Sequence, residues 1–240
     1  MSVERDEIAP VERHHHRDVH GGAARAAVFG ISDGLVSNVG LILGVAGADP
    51  APSVVRLAGL AGLIAGAVSM AAGEYNSMRV QAELIGRELE RERISLEQFP
   101  HVETVELAQI YQAKGVEADQ ARLLAEAMMA NPQRALEAHA REELGIDPDA
   151  VGAPFTAATS SFIAFSLGAL IPLFPWFFIG RGGAAVTSLV LAVVAAIAVG
   201  AATARFTERS QPKTIARQIA FTLVPAGITY AIGTAVGVNV

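Results

Sequence analysis

The chain has 240 residues, of which 52% are hydrophobic, 18% are charged and none is cysteine, and its formal net charge is −6. The mean hydropathy of +0.39 is higher than an ordinary soluble domain would give. The lack of cysteine excludes disulfides, thiolate metal sites and iron–sulfur clusters.

The hydrophobic residues are concentrated in five segments that are almost free of charge. Asp33 is the single charged residue in the first of them. A membrane span needs about 20 mostly apolar residues. The polar part of the chain is too small to bury five such helices in a soluble core. We therefore predict an all-α membrane protein with five transmembrane helices, in residues 26–48, 57–73, 150–180, 182–204 and 218–240.

Basic residues in the flanks of these spans predict the orientation. The N-terminal tail and the loop after span four are basic, with Arg5, Arg13, Arg17 and Arg25 in the tail and Arg205, Arg209, Lys213 and Arg217 in the loop. The loops after spans one and three have only Arg56 and Arg181. Because Lys and Arg favour the cytosolic side, we expect a cytosolic N-terminus. The first 25 residues have no apolar core typical of a cleaved signal, so the first span is expected to act as the insertion signal.

A polar insert separates spans two and three. Residues 82–150 contain 15 acidic and 7 basic residues, a net charge of −8. This change in composition predicts four regions: a His-rich cytosolic tail in 1–24, spans one and two in 25–81, a cytosolic acidic metal-binding domain in 82–150, and spans three to five in 151–240.

The insert is predicted to be helical throughout. Residues 83–97 should continue span two out of the membrane until Pro100 interrupts the helix. Gly115 and Gly145 are typical of residues that follow a helix end. Asn131 followed by Pro132 is typical of an N-cap and a first helical position.

Asp33 is the strongest candidate functional residue in the membrane. A carboxylate inside a span costs about 2.5–3.5 kcal/mol on insertion scales, and such residues usually mark ion or proton pathways. Ser37, one turn later, lies on the same helix face. Gly30 and Gly34 are also one turn apart, which permits close approach of another helix. We therefore predict an ion-conducting site at Asp33.

Met70 and Glu74 in span two form a second candidate pair, because they lie one turn apart. Thioether sulfur is a soft ligand and carboxylate a hard one, so together they favour a borderline ion such as Fe²⁺. Counting from Arg25 and Arg56 places Asp33 roughly 12 Å inside the membrane and Met70 at a similar depth. The alternatives are plain packing for Met70 and an interfacial charge for Glu74.

The insert contains a third group of candidate ligands. Residues three or four positions apart lie on one face of a helix. Three such faces are predicted: Glu88 with Glu92, Glu103 with Glu106, and His139 with Glu142 and Glu143. Turned inward, these faces would form an oxygen-rich metal site with one imidazole. The alternative is a solvated surface with pairs such as Glu88 and Arg91. The tail cluster of His14, His15, His16 and His20 is either a weak metal scavenger or a flexible tail.

Three stretches of the sequence resemble the vacuolar iron transporter family. They are Val28-Phe29-Gly30-Ile31-Ser32-Asp33-Gly34-Leu35-Val36-Ser37-Asn38, Ser69-Met70-Ala71-Ala72-Gly73-Glu74-Tyr75 and Ala138-His139-Ala140-Arg141-Glu142-Glu143-Leu144-Gly145. They occur in the same order and spacing as in the family.

The resemblance implies a dimer of five-span subunits that exports Fe²⁺, often also Mn²⁺, from the cytosol in exchange for protons. It implies that Asp33 and Met70 are the membrane ligands, and that Glu74 belongs to a Gly-Glu-aromatic motif. The cytosolic glutamates of the family correspond to Glu92, Glu103, Glu106 and Glu143. Two positions depart from the family pattern: a second glutamate of the first helix is replaced by Ser95, and a methionine of some members falls near His139.

The expected function is therefore proton-coupled export of Fe²⁺ or Mn²⁺, by a transporter and not an enzyme, with no permanent cofactor. The expected partners are the metal ion, protons, the lipid bilayer and a second copy of the chain, and not nucleic acid. Composition and the lack of an organellar signal favour a bacterial plasma membrane. The alternative function is a membrane-anchored protein that binds or oxidises iron without transport.

Overall fold

The structure, a computed structural model, describes residues 22–148 and 153–237. Eight α-helices occur in these residues: α1 Gly22–Gly47, α2 Pro52–Gln98, α3 Pro100–Ala113, α4 Ala118–Met129, α5 Pro132–Glu142, α6 Pro154–Leu173, α7 Arg181–Phe206 and α8 Gln211–Gly237, with a 3₁₀ turn Phe174–Phe177 after α6. The predicted His-rich cluster of the tail lies outside the described residues.

Five helices in the described part of the chain, α1, α2, α6, α7 and α8, are long and apolar enough to cross a membrane. This confirms the prediction of an all-α membrane protein with five spans. Large apolar side chains such as Ile64, Val68 and Val194 are exposed on the outer faces of these helices. A surface of this kind is stable against lipid hydrocarbon and not against water.

The centre of the bundle is α1, which packs most extensively against α6 and also contacts α2, α7 and α8. Glycines allow the close approach of α1 and α6. A Cβ on Gly34 would lie 2.1 Å from the Phe165 carbonyl oxygen, and one on Gly168 would lie 2.2 Å from the Ile31 carbonyl oxygen. The close approach anticipated for Gly30 and Gly34 is thus made by α6.

Helix α2 is 47 residues long and extends without interruption from the apolar layer into the polar insert. At 1.5 Å per residue it spans about 70 Å. It carries Met70 and Glu74 in its first half and Glu92 near its end. The membrane and the acidic group of the insert are therefore joined by one rigid element.

The polar segment between the second and third long apolar helices consists of the end of α2 followed by α3, α4 and α5. Asn131 caps α5, since its side-chain oxygen accepts from the backbone nitrogens of Gln133 and Arg134. Gly115 and Gly145 have φ angles of +95° and +63°, which favour glycine. The Gly115 turn leads from α3 into α4, and Gly145 ends the segment after α5. Helices α3 and α5 both contact α2, which brings their acidic residues together.

Candidate metal centre

Four side chains of the insert converge on one point. Glu92 comes from α2, Glu103 from α3, His139 from α5, and Glu143 from the residue that follows α5. Each offers one ligand atom, and these atoms all lie within 4.8 Å of one another. The three-helix arrangement therefore forms a group of three carboxylates and one imidazole with the dimensions of a metal site.

His139 is the most deeply buried member of this group and has no exposed surface. Its Nδ1 lies 2.9 Å from the Ala135 carbonyl oxygen, one turn earlier on α5. Nε2 lies 3.3 Å from the backbone carbonyl oxygen of Glu103. Because a carbonyl can only accept and the contact at Nδ1 is the shorter one, we assign the ring proton of the neutral imidazole to Nδ1. In this tautomer Nε2 keeps its lone pair for a metal ion, and it lies 3.7 Å from Oε2 of the Glu103 carboxylate. A hydrogen bond at the outer nitrogen is the usual way in which a protein orients a metal-binding imidazole.

Glu103 and Glu92 are also buried, at 6% and 8% exposure. The Ser95 hydroxyl donates a hydrogen bond of 2.5 Å to Oε1 of Glu103. Oε1 of Glu92 is buried and has no hydrogen-bond partner among the residues that the structure describes. A buried carboxylate oxygen without a donor is costly, and a bound cation would remove that cost.

The carboxylates repel one another in the absence of a cation. Burial raises the pKa of Glu92, and the nearby charge of Glu143 raises it further, while His139 opposes the shift. Burial also raises the pKa of Glu143, with Glu106 as the next contributor. Glu106 is therefore close enough to act on the group electrostatically.

The site is open at one side, because Glu143 is exposed while the other three ligands are buried. An ion could thus reach the buried groups from solvent through Glu143. Three carboxylates with one imidazole suit a borderline divalent ion such as Fe²⁺ or Mn²⁺.

Three sequence-predicted ligands of the insert lie outside this group of four, namely Glu88, Glu106 and Glu142. Glu88 accepts a hydrogen bond of 2.8 Å from Arg91 and is exposed, which is the intrahelical ion pair considered as the alternative. Glu142 pairs with Lys114 at the end of α3. The side chains of α5 diverge because successive helical residues are about 100° apart, so Glu142 and Glu143 cannot face the same point.

In the membrane part, Asp33 is half-buried on α1 and accepts a hydrogen bond of 3.3 Å from Ser37. Its neighbour Gly34 lies against the backbone of Phe165 and Ala169 on α6. Met70 of α2 is half-buried and packs against a cluster formed by Ala67, Phe165 and Ala169. Asp33 and Met70 therefore belong to helix segments that meet the same turn of α6.

Glu74 lies one turn beyond Met70 on α2 and is half-buried. The next residue, Tyr75, makes an edge-to-face contact with Phe155 at the start of α6, with 5.0 Å between the ring centroids. This contact holds α2 against α6 beside Glu74, between the apolar layer and the insert.

Sequence reasoning did not recognise the role of Ser95. The signal was its position three residues after Glu92, which places both on one face of α2. Local spacing did not predict the role of Asn38 either, which is buried and donates a hydrogen bond to the Ala169 carbonyl of α6.

Comparison with known proteins agrees with these features. The model of the VIT family matches residues 24–234. Vacuolar iron transporter 1 of Arabidopsis thaliana is 34% identical over 237 residues, which cover 92% of this chain and 93% of that protein. Vacuolar iron transporter 1 of Oryza sativa subsp. japonica is 34% identical over 207 residues, covering 84% of this chain and 82% of that protein. The vacuolar iron transporter of Acanthamoeba castellanii is 38% identical over 176 residues, covering 70% of this chain and 64% of that protein. The chain therefore belongs to the VIT family.

Proposed function

We propose that this protein exports Fe²⁺, and also Mn²⁺, from the cytosol across a membrane in exchange for protons. The observation that carries the proposal is the group of Glu92, Glu103, His139 and Glu143 on an insert that continues directly from α2. The names of its relatives as iron transporters support iron as the substrate.

In this proposal the insert collects the ion on the cytosolic side and α2 leads to the membrane ligands. The ion leaves the buried carboxylates for Glu74 and then for Asp33 and Met70. Carboxylates bind a metal in their deprotonated form. A proton arriving from the far side at Asp33 would therefore displace the ion, which gives exchange of metal for proton.

The working unit is proposed to be a homodimer with cytosolic N-termini in a bacterial plasma membrane. The basic flanks support the orientation. Ser37 donates to Asp33 and is exposed on α1 inside an apolar span. This supports a second copy beside the pair, because a second protein surface would shield these polar groups from lipid hydrocarbon.

The test uses the purified full chain in proteoliposomes that contain a pH-sensitive dye. Addition of Fe²⁺ or Mn²⁺ should drive metal one way and protons the other, and Asp33→Asn should abolish both fluxes while the protein stays folded. Asp49→Asn, in the loop after α1, is the matched control and should leave both fluxes intact. Wild-type protein that binds metal and moves none would instead favour the membrane-anchored iron-binding alternative.

A further inference from the structure

Asn38 is a buried amide at the contact of three membrane helices. It lies on α1 with 1% of its surface exposed. Its Nδ2 donates a hydrogen bond of 2.7 Å to the Ala169 carbonyl oxygen of α6. Its Oδ1 is buried and accepts no hydrogen bond from the described residues. A polar oxygen is thus left without a donor in the interior of the bundle.

The orientation of this amide is fixed. A carbonyl accepts and never donates, so the nitrogen of Asn38 must face Ala169 and the oxygen must point away from it. On that side lies α2, where a Cβ on Gly62 would be 3.1 Å from Oδ1. A buried acceptor without a partner costs free energy, and lipid supplies no water to relieve it.

The position of Asn38 connects it to the membrane site. Ala169, its hydrogen-bond partner, belongs to the cluster against which Met70 packs. Asn38 is five residues after Asp33, which places it roughly 7.5 Å further along α1, away from the insert. Along the bundle, its oxygen therefore lies beyond Asp33 and Met70 as seen from the insert.

We propose that Oδ1 of Asn38 is a further ligand of the transported ion, which the ion reaches after Asp33 and Met70. This inference rests on the proposed function. A neutral amide oxygen is a ligand for divalent ions such as Mn²⁺, and it binds them more weakly than a carboxylate does. Conduction needs sites that bind well enough to receive an ion and weakly enough to release it. A fixed amide oxygen after the charged ligand meets both needs.

The rival role for Asn38 is purely structural, a hydrogen bond that joins α1 to α6. Two substitutions separate the roles. Asn38→Leu removes both the oxygen and the donor while keeping the branched shape of the side chain. Asn38→Asp keeps an oxygen in place but, when ionised, cannot donate to Ala169. A ligand role therefore predicts that the aspartate variant is the more active of the two, and a structural role predicts that it is no better than the leucine variant.

The experiment measures initial Fe²⁺ and Mn²⁺ transport by the full chain in proteoliposomes, with folding checked by size-exclusion chromatography. We expect Asn38→Leu to lower the saturating rate about tenfold or more, which corresponds to the loss of one stabilising contact in the rate-limiting transfer. We expect Asn38→Asp to transport faster than Asn38→Leu, with half-saturation at a lower metal concentration than wild type, because a carboxylate holds the ion more tightly. If Asn38→Leu does not fold, Asn38→Ser takes its place under the same criterion, since its hydroxyl is too short to reach Ala169.

A wild-type rate for the leucine variant, or equal impairment of both variants, would overturn the inference while leaving the proposed function intact. Wild-type protein that moves no metal would instead reject the proposed function. The same liposomes thus distinguish the two failures.

Discussion

His139 and Glu103 face each other across the contact between α5 and α3, with 3.7 Å between Nε2 and the Oε2 oxygen. A second hydrogen bond orients each side chain: His139 bonds to the Ala135 carbonyl, and Glu103 accepts from the Ser95 hydroxyl. The ligand atoms are therefore oriented before any ion arrives. Such preorganisation lowers the entropy that the protein loses when it binds a metal.

The first prediction compares two glutamates of the same helix. Glu92→Gln should weaken Mn²⁺ binding about tenfold or more, because a neutral amide replaces a buried carboxylate ligand. Glu88→Gln, one turn earlier, should leave the affinity unchanged, because Glu88 is exposed and paired with Arg91. Calorimetric titration of the purified full chain measures both. Equal losses in the two variants would show that the acidic surface as a whole attracts the ion and that no defined site exists.

The second prediction concerns the hydroxyl that orients Glu103. Ser95→Ala should lower the affinity for Mn²⁺ about tenfold, since groups that orient a ligand typically contribute 10–100-fold to metal binding. The control is Thr104→Ala, adjacent to Glu103, because the Thr104 hydroxyl is exposed and donates to the Pro100 carbonyl. An unchanged affinity in Ser95→Ala would mean that Glu103 is oriented by packing alone.

The third prediction follows from the raised pKa values of Glu92 and Glu143. A carboxyl whose pKa is higher in the folded state stabilises that state below its unfolded pKa, and this contribution is lost as the pH rises through the folded pKa. These two groups should therefore make the metal-free protein less stable at about pH 7 than at a pH just below about 4.3, the ordinary pKa of glutamate.

Thermal unfolding in detergent measures this effect. Glu92→Gln should raise the melting temperature of the metal-free protein at neutral pH and change it little in acid. Mn²⁺ should stabilise the wild type at neutral pH and have a smaller effect on the variant, because the ion binds the folded form preferentially. A variant that is less stable than wild type at neutral pH without metal would contradict this electrostatic account.

The sequence predicted the five spans and the helices of the insert, because both follow from local patterns: uncharged stretches in one case, and Pro100, Asn131 and the helix-ending glycines in the other. Local spacing alone could not predict which carboxylates meet. Glu88 and Glu92 lie on one face of α2, yet only Glu92 reaches the group, since Glu88 pairs with Arg91. Which glutamate joins the group depends on where α3 and α5 cross α2. The crossing points are set by tertiary packing and cannot be predicted from the spacing of residues along one helix.

The fourth prediction separates two roles of Met70. Met70→Leu replaces one apolar side chain by another of similar volume, so a packing role predicts a stability change below about 1.5 kcal/mol and normal transport. A ligand role predicts a large loss of Fe²⁺ transport in a folded protein, because leucine has no sulfur to donate. Met128→Leu, on α4 of the insert, is the control, since Met128 packs against the apolar cluster around Leu107. Normal Fe²⁺ transport by Met70→Leu would show that Met70 has a packing role and is not a ligand.

The last prediction concerns the glycine that brings Asp33 to α6. Gly34→Ala would place a Cβ 2.1 Å from the Phe165 carbonyl oxygen, and a backbone atom cannot move aside without displacing the helix. We expect a loss of about 1–3 kcal/mol or more in stability and a loss of transport, because α1 and α6 must separate. Gly73→Ala, next to Glu74, introduces the same methyl group, and it should be tolerated because no atom of the described residues beyond its own turns of α2 lies within 4 Å. The melting temperatures and Fe²⁺ fluxes of the two variants measure the difference. A Gly34→Ala protein with the melting temperature and flux of the wild type would show that the close approach of α1 and α6 does not position Asp33.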